Sequence, residues 1–102
     1  ELLKNALLGL LKDEDSWVRS TAASSLGRVA NIEVVRDALL GLLKDEDEFV
    51  RSAVIDAIGR IAYQNEVFER LCHCLDDPSQ SVRDSAFRAI ARFAYIKDKK
   101  YV

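Results

Sequence analysis

The amino-acid sequence predicts an all-α fold in which three helical hairpins stack on one another, and three observations lead to this prediction. The stretch Asp45–Ala62 recurs about 32 residues upstream as Asp13–Ala30 and about 32 residues downstream as Asp77–Ala94, which is the signature of a repeat array. Within each copy, apolar residues return at the three- and four-residue spacing of one helix face. Hydrophobic residues make up 49% of the 102 residues and charged residues 31%, so neighbouring hairpins can bury a shared core and still face water.

The first repeat, residues 1–32, contains two amphipathic segments. Leucines form the apolar stripe of a predicted helix over residues 1–11, and a second stripe predicts a helix over residues 16–30. The polar run Lys-Asp-Glu-Asp at 12–15 separates them and predicts a tight turn. A hairpin this short cannot bury its stripe alone, so neighbouring repeats must cover it.

The second repeat, residues 33–64, follows the same plan. Its predicted helices span residues 33–43 and 49–62, and the polar turn lies at 44–47. The apolar positions keep their spacing from the first repeat, so the two hairpins should have the same shape.

The third repeat, residues 65–97, predicts helices over residues 66–75 and 79–96. Proline is favoured at the first position of a helix, because its missing N–H would have no partner there. Pro78 is therefore expected at the first helical position, and Asp77 as the N-cap.

The two ends of the array differ from the middle. Asp98 and Lys99 fall where the first two repeats have apolar residues, so the array should stop near residue 96, and residues 98–102 are predicted to be a C-terminal tail. Leu2 and Leu8 lack a preceding repeat to cover them, and this open apolar edge could pair two chains in a two-fold dimer. The sequence has no methionine, so we expect a piece or a processed form of a longer chain.

The second predicted helix of each repeat has a small residue at one aligned position. Gly27 and Gly59 lie inside predicted helices, where glycine is about 1 kcal/mol less favourable than alanine. The third repeat has Ala91 at the same position. We expect a small residue there because neighbouring helices approach closely.

Composition and charge disfavour several functional classes. The formal net charge of -2 argues against a nucleic-acid partner, because such binders usually have a strongly basic surface. No apolar run approaches the roughly 18 residues of a membrane-spanning helix, so no membrane partner is expected. The only cysteines, Cys72 and Cys74, fit a reducing compartment better than a disulfide framework, which predicts a cytoplasmic location.

No residue set suggests a catalytic, metal or cofactor site. Cys72 and Cys74 stand two residues apart, which places them about 200° apart around a helix, so their thiols cannot share one ion. Both align with leucines of the earlier repeats, and we expect them to pack in the core. His73 is the only histidine, and no serine motif or glycine-rich phosphate loop accompanies it. The chain is therefore predicted to have no enzymatic activity and no cofactor or metal.

A longer motif occurs three times in phase. The pattern Leu-x3-Leu-x-Asp-x4-Val-Arg-x2-Ala, followed by Leu-Gly-x2-Ala, spans residues 7–30. Residues 39–62 match it except that Val54 replaces the alanine and Ile58 the leucine of Leu-Gly, and residues 71–94 match it except that Ile90-Ala91 replaces Leu-Gly. This pattern resembles the short HEAT repeat, as found in the lyase-type HEAT proteins associated with phycobilin attachment. The resemblance implies a right-handed α-solenoid whose second helices line the concave surface.

The resemblance also implies a structural ladder, in which each arginine reaches the turn carboxylate of its own or the adjacent repeat through charge-assisted hydrogen bonds. The alternative is that each aspartate is only an N-cap and each arginine a solvated side chain. The residues of the ladder would be Asp13, Asp45 and Asp77 with Arg19, Arg51 and Arg83.

Exposed positions of the second helices vary between repeats, whereas the buried positions do not. Variable side chains on a constant scaffold are expected of a recognition surface, and Trp, Tyr and Arg are enriched at binding hot spots. The candidate partner-binding residues are Trp17, Phe49, Asp56, Tyr63, Arg88 and Tyr95, with the row Arg28, Arg60 and Arg92. Two alternatives stay open: Trp17 and Phe49 could cover the helix junctions beneath them, and the arginine row could be a solvated face.

These features favour a non-catalytic scaffold that binds a peptide or helix of another protein on the concave surface. The first alternative is an accessory module of a phycobilin lyase, which would bind a tetrapyrrole or its acceptor protein. The second alternative is nucleic-acid binding along the arginine row, which the acidic balance disfavours.

Overall fold

A computed structural model of the chain describes residues 2–29, 33–61 and 65–100. Over these ranges the chain forms helices joined by short turns and contains no strand. The helices are α1 (Leu2–Leu10), α2 (Ser16–Val29), α3 (Glu33–Leu40), α4 (Glu48–Ile61), α5 (Asn65–His73) and α6 (Gln80–Lys100), with a 3-10 turn at Cys74–Asp76 before α6.

The helices form three hairpins that stack in two layers. In each hairpin the first helix packs on the second, and the second helices α2, α4 and α6 pack side by side. The first helices contact one another far less than the second helices do. The predicted α-solenoid of three stacked hairpins is confirmed, and its right-handed sense stays a prediction.

One continuous core runs through the stack, and its largest fully buried side chains come from every hairpin. The burial of each of these side chains stabilises the folded chain by about 1.5–3 kcal/mol. They include Leu26, Leu39, Ile55, Ile58, Leu71 and Val82.

The second helices approach one another most closely at the small residues. A methyl group built on Gly27 would lie 2.7 Å from the Cβ atom of Ala57 and 2.9 Å from its Cα atom. A methyl group on Gly59 would lie 3.0 Å from the Cβ atom of Ala89. Ala91 is exposed, so it has room for its methyl group. The prediction of a close approach is confirmed for both glycines.

The second helices begin at a capping side chain. Asp15 accepts hydrogen bonds from the N–H groups of Trp17 and Val18 at 2.8 and 3.4 Å, which satisfies two of the free donors of α2. Asp47 does the same at the start of α4. These contacts place the N-cap two residues after the repeated turn aspartate.

The predicted N-cap of the last helix is wrong by two residues. The N–H group of Arg83 donates to the carbonyl of Ser79 at 3.0 Å, so Ser79, which aligns with Asp15 and Asp47, is the N-cap of α6. Asp77 instead accepts from the N–H group of Ser79 at 2.9 Å. Pro78 therefore lies before the helix and not at its first position.

Three helix ends also differ from the predictions. Helix α3 stops at Leu40 because the N–H groups of Leu42 and Leu43 donate to carbonyls three residues back, which tightens the chain into a turn. Helix α5 likewise ends at His73 and continues as a 3-10 turn. Helix α6 runs to Lys100, one turn beyond the predicted end, because no glycine or proline interrupts it and lysines suit a helix C-terminus.

The N-terminal edge is open at Leu2 but not at Leu8, although both were predicted to be uncovered. Leu2 is 88% exposed, and Leu3 is 61% exposed. Leu8 is half-buried and packs against the core, so the prediction that it is uncovered is wrong.

Candidate functional site

An arginine in the second helix joins each of the first two repeats to the next repeat. The guanidinium of Arg19 donates from Nε and Nη2 to the two carboxylate oxygens of Asp45, each at 3.0 Å. Its Nη1 atom donates to the carbonyls of Asp13 and Glu14 at 2.8 and 3.0 Å. The arginine thus binds the carbonyls of its own turn and the carboxylate of the next turn. Only 10% of the Arg19 side chain and 8% of the Asp45 side chain are exposed.

The same arrangement recurs one repeat later. Arg51 donates from Nε and Nη2 to Asp77 at 2.8 and 3.0 Å, and from Nη1 to the carbonyl of Asp45 at 2.8 Å. Arg83 donates from Nη1 to the carbonyls of Asp77 and Pro78 at 2.8 and 3.0 Å. No carboxylate among the described residues contacts Nε or Nη2 of Arg83. We call the Arg19–Asp45 and Arg51–Asp77 pairs the inter-repeat ladder.

Each turn aspartate also holds its own turn together. Asp13, Asp45 and Asp77 accept a hydrogen bond at 2.9 to 3.0 Å from the N–H group two residues ahead. Asp45 and Asp77 therefore have two tasks, one within the turn and one toward the preceding arginine. Asp13 has only the first task among the residues that the structure describes.

Hydrogen bonds lower the pKa of one capping carboxylate, Asp47, and of one ladder carboxylate, Asp77. Burial acts to raise the pKa of Asp77, but the Arg51 guanidinium and the N–H group of Ser79 outweigh it, so the pKa lies below its ordinary value. The pKa of Asp47 is also lowered, because the N–H groups of Val50 and Phe49 outweigh the effect of burial. The hydrogen bonds that Arg19 donates to Asp45 and Arg51 donates to Asp77 raise the pKa values of the two arginines.

We expect the folded chain to lose stability in acid because of these carboxylates. A carboxyl group with a lower pKa in the folded state stabilises it fully above the unfolded pKa, about 3.9 for Asp, and loses this contribution as pH falls through the folded pKa. Urea denaturation from neutral pH to pH about 2 should therefore show a decline below pH about 4. Asp77→Asn should flatten this decline, and an identical decline in that variant would contradict the assignment to Asp77.

Exposed aromatic side chains lie on the second helices. Trp17 is 72% exposed, Phe49 is 67% exposed and Tyr95 is 63% exposed. Such exposure leaves little of Trp17 or Phe49 to cover a helix junction, which was the alternative interpretation. Trp17 borders a groove of about 280 Å³ with Ser20, Thr21, Ser24, Ser25 and Arg28, so one face of α2 presents both an aromatic ring and a guanidinium.

Three arginines meet between α4 and α6. Arg60, Arg88 and Arg92 line a groove of about 240 Å³. The groove also includes Gly59 and Ala89, at the tight contact between the two helices. Arg88 lies 3.7 Å from the carboxylate of Asp56, which is the one acidic side chain among the lining residues. We call this feature the arginine groove; its lining residues are Asp56, Gly59, Arg60, Arg88, Ala89 and Arg92.

A buried serine that the sequence analysis did not select positions one of these arginines. Ser85 is fully buried, and its hydroxyl lies 2.6 Å from the hydroxyl of Ser52 and accepts a hydrogen bond from Nη2 of Arg88 at 3.1 Å. Ser85 aligns with Ala53 of the second repeat. The first repeat has Thr21 at this position, which is exposed, and Ala53 is half-buried, so the repeat pattern gave no signal for this contact.

A groove that the sequence did not predict is lined by residues of α5 and of the segments that follow α3 and α5. It measures about 380 Å³ and lies between the second and third hairpins. Cys74 packs against the core and burial raises the pKa of its thiol, whereas Cys72 is half-buried. A reactive thiolate at Cys74 is therefore disfavoured. The lining residues are Leu43, Lys44, Arg70, His73, Cys74 and Asp77.

Comparison with protein families identifies the architecture. A family model for HEAT repeats matches residues 4–91, which is most of the sequence. The chain belongs to the HEAT-repeat family. No protein with curated annotation matches it significantly. The match is to HEAT repeats in general, and the phycobilin-lyase type implied by the short motif stays a prediction.

The HEAT-repeat chain brings most of the predicted site residues onto its second helices. Tyr63 lies outside the described residues, whereas the other candidate partner-binding residues are exposed or half-exposed. None of the described helices is long and apolar enough to cross a membrane. In the same ranges of the chain, no group of three or more His, Cys, Asp or Glu residues could hold a metal ion.

Proposed function

We propose that this HEAT-repeat chain is a non-catalytic scaffold that binds an acidic segment of another protein on its second helices. The observation that supports the proposal is the arginine groove, in which Arg60, Arg88 and Arg92 face one carboxylate on a chain whose net charge is -2. Guanidinium groups bind carboxylates through paired, directional hydrogen bonds. Exposed aromatic rings on the same helices supply the apolar contacts that binding sites need.

The packing of the two layers supports a concave surface at this place. The second helices lie so close to one another that positions 27 and 59 have no space for a side chain, whereas the first helices contact one another far less. A stack bends toward its more tightly packed layer, so we infer that α2, α4 and α6 line the inner side. An extended peptide or a helix could then cross all three helices.

Two other functions are weaker candidates for the same surface. A tetrapyrrole needs an enclosed pocket, and the grooves of about 240 and 280 Å³ on the second helices are open to solvent. A nucleic acid would bind Arg28, Arg60 and Arg92 through its phosphates, but Asp56 lies among these side chains and the chain is acidic.

A peptide selection tests the proposal. A phage-displayed library of random peptides would be selected against the chain, and the enriched peptides synthesised. Trp17 is the only tryptophan, so its fluorescence reports directly on peptides that cover the second helices. We expect acidic peptides with apolar residues, a shift of the Trp17 emission, and a loss of affinity of about tenfold or more for Arg60→Glu or Arg92→Glu.

The control variant is Lys12→Glu, which makes the same charge change at an exposed position in the first turn. It should leave the affinity for the peptides unchanged. Equal affinity of all these variants would refute the proposed surface. A preference for duplex DNA that falls steeply with salt would favour the nucleic-acid function instead.

A further inference from the structure

The arginine groove between α4 and α6 holds more positive charge than its own carboxylate neutralises. Its lining residues include three guanidinium groups and one carboxylate, a formal excess of two positive charges. Asp56 lies 3.7 Å from Arg88, and no carboxylate among the described residues pairs with Arg60 or Arg92. The chain as a whole has a net charge of -2, so the positive excess is a local feature of the groove.

The arginines of the groove are open to solvent on the face of the second helices. Arg60 is exposed, although α4 packs against α2 on one side and against α6 on the other. Arg92 aligns with Arg60 and is exposed too. Packing between repeats therefore leaves this position uncovered, and a ligand can reach both side chains from solvent.

The three guanidinium groups come from the two sides of the groove. Arg88 and Arg92 stand four residues apart on α6, which places them one turn apart on one helix face, and Arg60 belongs to α4. Gly59 and Ala89 lie at the tight contact between the two helices, and neither has a long side chain that would fill the groove. An anion at this contact can accept hydrogen bonds from both helices.

Arg88 is already held in position in the unbound chain. Its Nη2 atom donates to the hydroxyl of the fully buried Ser85 at 3.1 Å, and this hydroxyl lies 2.6 Å from that of Ser52. A side chain that is positioned before binding loses less conformational entropy when a ligand arrives. The 3.7 Å separation between Arg88 and Asp56 is too long for a hydrogen bond, so an incoming anion displaces no strong contact.

The number of guanidinium groups distinguishes between classes of anion. In the inter-repeat ladder, Asp45 and Asp77 each accept from Nε and Nη2 of one arginine with their two oxygens. One carboxylate therefore occupies one guanidinium group. A phosphoryl group on serine or threonine has three acceptor oxygens and a charge of about -1.5 to -2 at pH 7, which matches three guanidinium groups and the excess charge. The phosphates of a nucleic-acid backbone carry about one charge each and match this excess less well.

We propose that the arginine groove binds a phosphoserine or phosphothreonine side chain of a partner protein, with Arg60, Arg88 and Arg92 on the phosphoryl oxygens. This inference rests on the proposed function and names the acidic group that the partner presents there. Clusters of arginine are a recurring means of recognising phosphorylated segments. Phosphorylation of the partner would strengthen its binding, because an unmodified serine offers the guanidinium groups no charge.

Three pools of short peptides test the proposal. They have random residues on both sides of a central phosphoserine, glutamate or serine, and their binding to the chain is measured by fluorescence anisotropy at one salt concentration. We expect the phosphoserine pool to bind about tenfold or more tightly than the glutamate pool. This preference should shrink from pH about 7.5 to about 5.5, because the phosphoryl group takes up a proton near pH 6. The lining residues of the groove include no histidine.

Variants assign the preference to the groove. Arg60→Gln and Arg92→Gln should abolish the preference for phosphoserine over glutamate, whereas Lys12→Gln removes an exposed charge in the first turn and should preserve it. Asp56→Asn removes the competing carboxylate and should tighten the binding of the phosphoserine pool by about threefold. All four positions are at least partly exposed, so the variants should keep the fold, which circular dichroism would verify.

The outcomes separate this inference from the proposed function. Equal affinity for the phosphoserine and glutamate pools, lost together in Arg60→Gln, would overturn the inference and leave a binding site for acidic segments. A phosphoserine preference that survives both arginine variants would also overturn it. Binding of none of the pools at millimolar concentration would count against both. Tighter binding of an oligothymidylate than of the phosphoserine pool would overturn both in favour of a nucleic-acid partner.

Discussion

Gly27→Val is expected to lower the free energy of unfolding by about 3 kcal/mol, because there is no space for a side chain between α2 and α4. Even a single methyl group at this position would lie 2.7 Å from the Cβ atom of Ala57 and 2.9 Å from its Cα atom. The second of these is backbone, so the two helices would have to move apart along their whole contact. Urea denaturation followed by circular dichroism measures the loss.

Two control substitutions separate this clash from the intrinsic preference of helices for alanine. Gly9 has no atom within 4 Å of a built methyl group, so Gly9→Ala should stabilise the chain by about 0.5 kcal/mol. Ala91→Gly should destabilise it by about 1 kcal/mol, since this exposed position gains nothing from a smaller side chain. If Gly27→Val were no more harmful than Ala91→Gly, the close approach of α2 and α4 would be refuted.

Asp77→Asn is expected to lower the free energy of unfolding by about 2 kcal/mol, because a charge-assisted bidentate contact becomes a weaker one. The amide oxygen of asparagine can still accept the hydrogen bond from the N–H group of Ser79, which keeps the turn. The same oxygen keeps the hydrogen bond from Nη2 of Arg51 but without the negative charge, and the NH₂ group, in the place of Oδ2, cannot accept the hydrogen bond that Nε of Arg51 donates at 2.8 Å. Chemical denaturation at neutral pH measures the difference.

Asp13→Asn is the matched control, because Asp13 accepts the same turn hydrogen bond at 2.9 Å but contacts no arginine side chain in the described ranges. Its effect should stay within about 0.5 kcal/mol. An equal loss of stability in the two variants would mean that the aspartates act only within their turns.

The repeat pattern predicted the fold because burial constrains the same positions in every hairpin. Gly27 and Gly59 were recognisable as sites of close approach, since glycine inside a helix is unfavourable unless space is short. The direction of the ladder could not be predicted in this way. Arg19 and Arg51 each stand six residues after their own turn aspartate and 26 residues before the next one, and this spacing does not show which turn they bind. Only the structure shows that each binds the backbone of the first turn and the carboxylate of the second.

The candidate site was predictable in part, because the periodic pattern of each helix also identifies its exposed positions. Helical periodicity placed Trp17, Arg60 and Arg88 on the exposed face of the second helices. It could not show that Arg88 is held by Ser85, because that contact depends on a hydroxyl inside the packed layer. The start of α6 was also misjudged, since proline preference favoured Asp77 over the serine that aligns with the earlier caps.

The central claim is that Arg51 and Asp77 stabilise the stack by binding each other across two repeats. A double-mutant cycle with Arg51→Gln, Asp77→Asn and the double variant measures this most directly. We predict a coupling free energy of about 2 kcal/mol for this pair. Arg51 in α4 binds Asp77 and Asp45 and not Asp13, so the effects of Arg51→Gln and Asp13→Asn should be additive within about 0.5 kcal/mol. Additive effects of Arg51→Gln and Asp77→Asn would contradict the account.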